Sequence, residues 1–175
     1  MTLKQLLKQV IRNVGIKEGD IFAESIIKTS LNKSYLDISK KEPKLKTVTL
    51  TAVNNTVTLP SDFESVEIIT PSLINGEYRK GLNLLVYTNS DNTQKSFDIT
   101  YVAVPTLLIN DTDVPSLSDK AQYLLLDFAS SEYLASVGKL NESQYYMNNY
   151  ESGKKKLYSS DNTLNTIQDI TGWWW

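Results

Sequence analysis

The sequence predicts an α+β protein: a helical bundle of two N-terminal and two C-terminal helices, with an inserted antiparallel β subdomain and an extended C-terminal tail. Three observations predict it. Toward both ends of the chain apolar residues recur at spacings of three and four, the helical period. In the middle they alternate with polar ones, the strand period. Pro43, Pro60, Pro71 and Pro105 punctuate that middle region where a missing N–H costs least.

The first helix is placed over 2–14. Thr2 and Gln5 have capping-box spacing, and Leu3, Leu6, Leu7, Val10, Ile11 and Val14 form one stripe. Gly15 and Gly19 flank a break. The second helix, 20–40, starts at Asp20 and carries a stripe of Phe22, Ile26, Ile27, Leu31 and Tyr35, with Pro43 preventing extension.

The β insertion is placed over 46–104. If Asn54-Asn55 is a two-residue hairpin turn, Ala52 faces Val57 and Leu50 faces Leu59 on one side, while Thr51 faces Thr58 on the other. A slip of one residue would destroy that agreement. Asn75-Gly76 is a second turn signal, and further strands are expected near 64–70, 82–88 and 95–104.

After a connector, Ser118 caps a third helix over 118–137, and Gly138 ends it. It holds Leu124, Leu125, Leu126, Phe128, Tyr133 and Leu134, together with Ala129, Ser130, Ser131, Ala135 and Ser136, small residues that permit close helix approach. A fourth helix over 142–159 is capped by Asn141, with Gln144 three residues on. These elements are read as one domain, 1–160, and residues 161–175 as the tail.

Composition excludes several functions. A net charge of −2, from 18 basic and 20 acidic residues, is not that of a general nucleic-acid binder. With no cysteine there are no disulfides or thiolate metal sites, which fits a reducing cytoplasm. With no histidine, the commonest general base and metal ligand is missing. No glycine-rich phosphate loop, nucleophile elbow or metal signature is present, so the chain is not expected to be an enzyme or to hold a cofactor. No apolar run reaches a membrane-spanning length, and Met1-Thr2-Leu3-Lys4 does not open a signal peptide. Sequons such as Asn54-Asn55-Thr56 therefore carry no weight.

Four features invite a functional reading. Asn110-Asp111-Thr112-Asp113 offers two carboxylates to a hard cation, but without the glycine and distal glutamate of a calcium loop it reads as a turn. Lys154, Lys155 and Lys156 could meet phosphate in a DNA channel, or form a solvated face with a Glu151–Lys155 pair. Tyr146 and Tyr150 share a helical face and suit either packing or a partner. All three tryptophans, Trp173, Trp174 and Trp175, follow Gly172 in a polar stretch, and are read as anchors for a partner protein.

Two segments carry a family likeness. One is Leu59-Pro60-Ser61-Asp62-Phe63 followed by Glu64-Ser65-Val66-Glu67-Ile68. The other runs from Tyr101-Val102-Ala103-Val104-Pro105 through Asp113-Val114-Pro115-Ser116-Leu117 to Tyr123-Leu124-Leu125-Leu126-Asp127-Phe128-Ala129 and Glu132-Tyr133-Leu134, before a helix with Tyr145, Tyr146 and Tyr150. In this order they resemble the head–tail connector, or adaptor, proteins of tailed phages, including the tail-tubular type. The likeness covers roughly residues 1–160; the region 72–100 and the tryptophan tail lie outside it.

The resemblance implies a viral structural protein of the virion head–tail junction, assembled in the host cytoplasm. It implies a ring of copies, usually twelvefold, beneath the portal protein and above the tail or the next connector. DNA would pass through without sequence-specific binding, and no membrane, cofactor or catalytic residue is involved. From a different class, a soluble ligand- or carbohydrate-binding β module with helical flanks would instead display several of Phe63, Tyr78, Tyr87, Phe97 and Tyr101 in a concave site.

Overall fold

A computed structural model describes residues 1–53, 56–70, 76–79, 84–87 and 96–161, with backbone alone for 76–79, 84–87 and 158–161. The elements run α1 (Leu3–Val14), α2 (Ile21–Ser39), β1 (Lys44–Thr51), β2 (Thr56–Thr58), β3 (Phe63–Thr70), β4 (Gly76–Arg79), β5 (Leu84–Tyr87), β6 (Ser96–Ala103), α3 (Asp119–Ser136) and α4 (Leu140–Asp161). The α+β class, the two pairs of helices and the β insertion between them are those the sequence predicts. The single domain resolves into two compact units, one of residues 1–42 and 107 onward, the other of residues 43–106.

In the helical unit, α1 starts with the expected capping box: Thr2 accepts from the Gln5 N–H, and the Gln5 side chain accepts from the Thr2 N–H. Gly15 ends it at φ +69°, a left-handed conformation that glycine adopts without a Cβ penalty. All six predicted α1 positions are buried. Helix α2 differs from expectation. Asp20 accepts from the N–H groups of Phe22 and Ala23 at 3.1 Å each, and this cap sets the rotation of the first turn. The buried stripe is Ala23, Ile27, Leu31, Tyr35 and Ile38, with Ser30 and Ser34. Phe22, expected in the stripe, is exposed.

Helix α3 is capped by Ser118 as expected. Of its small residues Ala129, Ser130 and Ser131 are buried while Ala135 and Ser136 are exposed, and Ser131 donates to the Ser143 carbonyl of α4 at 2.9 Å. Ser130 Oγ is buried with no hydrogen-bond partner, so size is what that position supplies. Gly153, unexplained by propensity, has the same purpose on α4, because a Cβ there would come 2.3 Å from Leu124 Cδ2. Asn141 is not the cap of α4; it is the second helical residue, α4 having begun at Leu140. The segment after Thr106 is fixed by Asn32, whose side chain both accepts from the Leu108 N–H at 2.8 Å and donates to its carbonyl at 2.9 Å. Glu42 then accepts from the N–H and hydroxyl of Ser118, tying the end of α2 to the start of α3.

In the β unit all pairings are antiparallel, in two three-stranded sheets ordered β1-β6-β3 and β2-β5-β4. Val53 and Thr56 exchange both backbone hydrogen bonds around Asn54-Asn55, which themselves lie outside the described residues. The predicted register therefore holds at the turn, and Ala52, Val57 and Leu59 are buried together, with Leu50 half-buried. The pairing beyond it differs. Leu50 lies opposite Phe97 and Thr51 opposite Ser96, while Val57 lies opposite Leu85. Past Leu59 the chain turns at Pro60, whose carbonyl accepts from the Phe63 N–H. Asn75 of the second turn signal is outside the described residues; Gly76 opens β4.

The Leu59-to-Phe63 step is a polar corner. Asp62 accepts from Lys46 Nζ and, at 3.0 Å, from the Tyr101 hydroxyl, while its carbonyl accepts from the Val104 N–H at 2.7 Å. Phe63 packs on Tyr101 with ring centroids 5.7 Å apart. The hydrogen bond from Lys46 holds the Asp62 carboxyl below its ordinary range. What the sequence offered as a family motif is, in this chain, the device that fixes β3 on β6.

Candidate assembly interface

The helical unit gathers four element ends in one place. Residues 15–20 join α1 to α2, and residues 137–139 join α3 to α4. The Tyr146 hydroxyl of α4 donates to the Asn13 carbonyl near the end of α1, at 3.2 Å. The C-terminal ends of α1 and α3 thus lie with the N-terminal ends of α2 and α4. At the opposite end the Met1 amino group donates to Gln122, and Glu42 meets Ser118.

The gathered ends carry apolar side chains that the core does not cover. Ile21 is 84% exposed, Phe22 75%, Leu140 68% and Tyr145 63%, and Val137 is exposed as well. Single exposed apolar residues are ordinary; a group at one end of a bundle is a candidate contact surface. Beside them is a cleft of about 410 Å³ lined by Asn13, Asn141, Glu142, Tyr145 and Tyr146. The two tyrosine rings meet edge to face, 5.4 Å apart. Burial, then the neighbouring Tyr145, Asp127 and Glu142, raise the Tyr146 hydroxyl above its ordinary range.

The expected site residues are distributed unevenly around this surface. Tyr146 lines the cleft. Tyr150 does not: it is 1% exposed, packs against Phe128 with centroids 5.0 Å apart, and donates to Asp37 at 2.6 Å. Its place is the bundle core, and the expectation of a partner contact passes to Tyr145, which sequence spacing did not single out. Lys154 pairs with Asp37 and lies 5.4 Å from the Tyr150 ring centroid. It is a packed residue, whereas Lys155 and Lys156 are exposed. No Glu151–Lys155 ion pair forms among the described residues. Trp173, Trp174 and Trp175 lie outside the described residues.

Two clusters of carboxylates are structural. Asp113 accepts from the N–H groups of Ile109 and Asn110 at 2.8 and 2.7 Å, which holds its carboxyl low and closes the turn. Asp111 faces Lys4 at 3.8 Å and Lys28 at 3.9 Å. Asp37 was missed by sequence reading. Burial pushes its carboxyl up, but hydrogen bonds from Lys154 and Tyr150 outweigh that and leave it below its ordinary range. Its only signal was a carboxylate two positions after Tyr35, near the end of α2.

No helix among the described residues is long and apolar enough to cross a membrane. Comparison with known proteins found no family model and no curated protein that matches the chain.

Proposed function

We propose that the chain is a structural subunit of a tailed-phage virion, a ring-forming adaptor that joins the portal to the tail around the DNA exit channel. The observation that carries this reading is the exposed apolar end of the bundle. Ile21, Phe22, Val137, Leu140 and Tyr145 are exposed there; Ile109, Val114 and Tyr123 of the same unit are exposed as well. Such a surface suits a protein whose work is contact with copies of itself and with neighbouring rings. The order of elements, α1-α2-β-α3-α4, is the one on which the sequence resemblance rests. The mechanism is geometric: subunits associate side by side, pass the shape of the portal to the tail, and leave DNA unread as it passes.

The rival reading, a carbohydrate-binding β module, gains no support from the β unit. Phe63, Phe97 and Tyr101 are buried in its small core, where no ligand reaches them; the side chains of Tyr78 and Tyr87 lie outside the described residues. The proposal is tested by imaging native particles with a labelled antibody to this chain. Label confined to the head–tail junction is the expected result. Absence from particles overturns the reading.

A further inference from the structure

We infer that the Tyr145–Tyr146 cleft is the receptor for the tryptophan cluster Trp173–Trp175 of a second copy of this chain; the inference rests on the ring-forming reading above. The cleft has the chemistry an indole needs. Tyr145 and Tyr146 offer two ring faces in an edge-to-face pair, a geometry to which a third aromatic ring adds readily. Glu142 and the side-chain oxygens of Asn13 and Asn141 offer acceptors for the indole N–H, which is a donor only. Leu140 and Val137, both exposed, extend the apolar floor on the same end of the bundle. At about 410 Å³ the cleft falls within the roughly 300–1,000 Å³ usual for a small-molecule-sized occupant, so it holds part of the cluster and leaves the rest for Leu140 and Phe22.

The length of the chain decides between a copy's own tail and a neighbour's. Helix α4 starts at the cleft and leads away from it: its 22 residues carry the chain about 32 Å from Leu140 to Asp161. Twelve residues, 162–173, would have to cover that distance back. Even fully extended, twelve residues reach only about 41 Å. Return to the same cleft therefore demands a nearly extended path, which gives a low effective concentration. A cleft on an adjacent copy, brought near Asp161 by assembly, is reached without that stretching.

The three tryptophans are the only ones in the chain, and this makes a clean experiment. In the full chain, Trp173, Trp174 and Trp175 are each replaced by serine, which yields an acceptor without tryptophan emission. A synthetic peptide of residues 162–175 is titrated with it. The expected result is a saturable blue shift in emission and a rise in anisotropy. Tyr145→Ala in the acceptor weakens binding at least about tenfold, as does Leu140→Ser, and both variants keep the parent's circular dichroism because both side chains are exposed. Absence of binding, or binding indifferent to Tyr145→Ala, overturns the inference. So does a wild-type chain whose emission is already blue-shifted as a monomer at every dilution, since its tail would then occupy its own subunit. These outcomes are separate from the antibody test: a chain found at the head–tail junction whose peptide ignores Tyr145 sinks the cleft and spares the adaptor reading, and the reverse pattern sinks only the adaptor reading.

Discussion

The two units hold themselves together by different means. Among the described residues the helical unit buries twenty apolar residues in one cluster fed by all four helices, and its polar bonds sit at caps and helix contacts. In the β unit the described residues bury eight, and register and the Lys46–Asp62–Tyr101 corner define their arrangement. Burial is roughly additive over many side chains, so the first unit tolerates the loss of any one polar group. In the β unit a one-residue slip would turn each buried side chain to the other face, so the corner that fixes β3 on β6 matters more there.

The largest effect that bears on this contrast is expected from Leu59→Asp. The side chain is buried among Ala52, Val57 and Phe97, and a carboxylate there has no partner. The cost is about 4 kcal/mol or more, enough to unfold a small unit. Hydrogen exchange followed by mass spectrometry should show Lys44–Ala103 exchanging fast while α1 and α3 stay protected. Global loss of protection would instead mean that the two units fold as one.

Next in size is Leu125→Ala, at a fully buried position of α3. It leaves a cavity and costs about 3 kcal/mol, within the 2–5 usual for such truncations. The denaturation midpoint of the helical circular-dichroism signal should fall, with protection of β6 unchanged below the transition. An unshifted midpoint would contradict the central place of α3 in the bundle.

A smaller loss is expected from Tyr150→Phe, which keeps the ring against Phe128 and removes only the hydroxyl that donates to Asp37. Because Asp37 is partly open to water, the cost is about 1 kcal/mol. Tyr150→Ala should cost several times more, since it also empties the core; equal losses would mean that the ring does not pack.

The helices were legible because their signals are local. The Thr2–Gln5 capping box, the Asp20 and Ser118 caps and the period of α1 depend on residues within a few positions of one another. Phe22 was misplaced because a five-residue stripe does not fix helix rotation to within one position, and the Asp20 cap does. The strand partners were less legible. The Val53–Thr56 bridge follows from a two-residue link, but the pairing of Leu50 with Phe97 joins residues far apart in sequence, which alternation alone does not encode. At the candidate interface, Tyr146 was visible as a helical tyrosine, whereas Tyr145, Ile21 and Leu140 matter only because four element ends converge. No local pattern carries that convergence.

The smallest effect separates two adjacent lysines. Lys154 lies between Asp37 and the Tyr150 ring, and Lys155 points to solvent. Lys154→Gln should cost less than about 1 kcal/mol, because the Asp37 carboxylate remains partly solvated, and Lys155→Gln nothing measurable. The pH dependence identifies the cause. The folded pKa of Asp37 lies below its unfolded value of 3.8, so the folded state holds the carboxylate ionised where the unfolded chain takes up a proton. That contribution is present above the unfolded value and disappears as pH falls through the folded one. Stability curves for the parent and Lys154→Gln should therefore run apart at neutral pH and converge below about pH 4, while Lys155→Gln follows the parent throughout. A Lys154→Gln curve that stayed parallel to the parent into acid would assign the lysine's contribution to its packing on Tyr150, and the ion pair with Asp37 would contribute nothing.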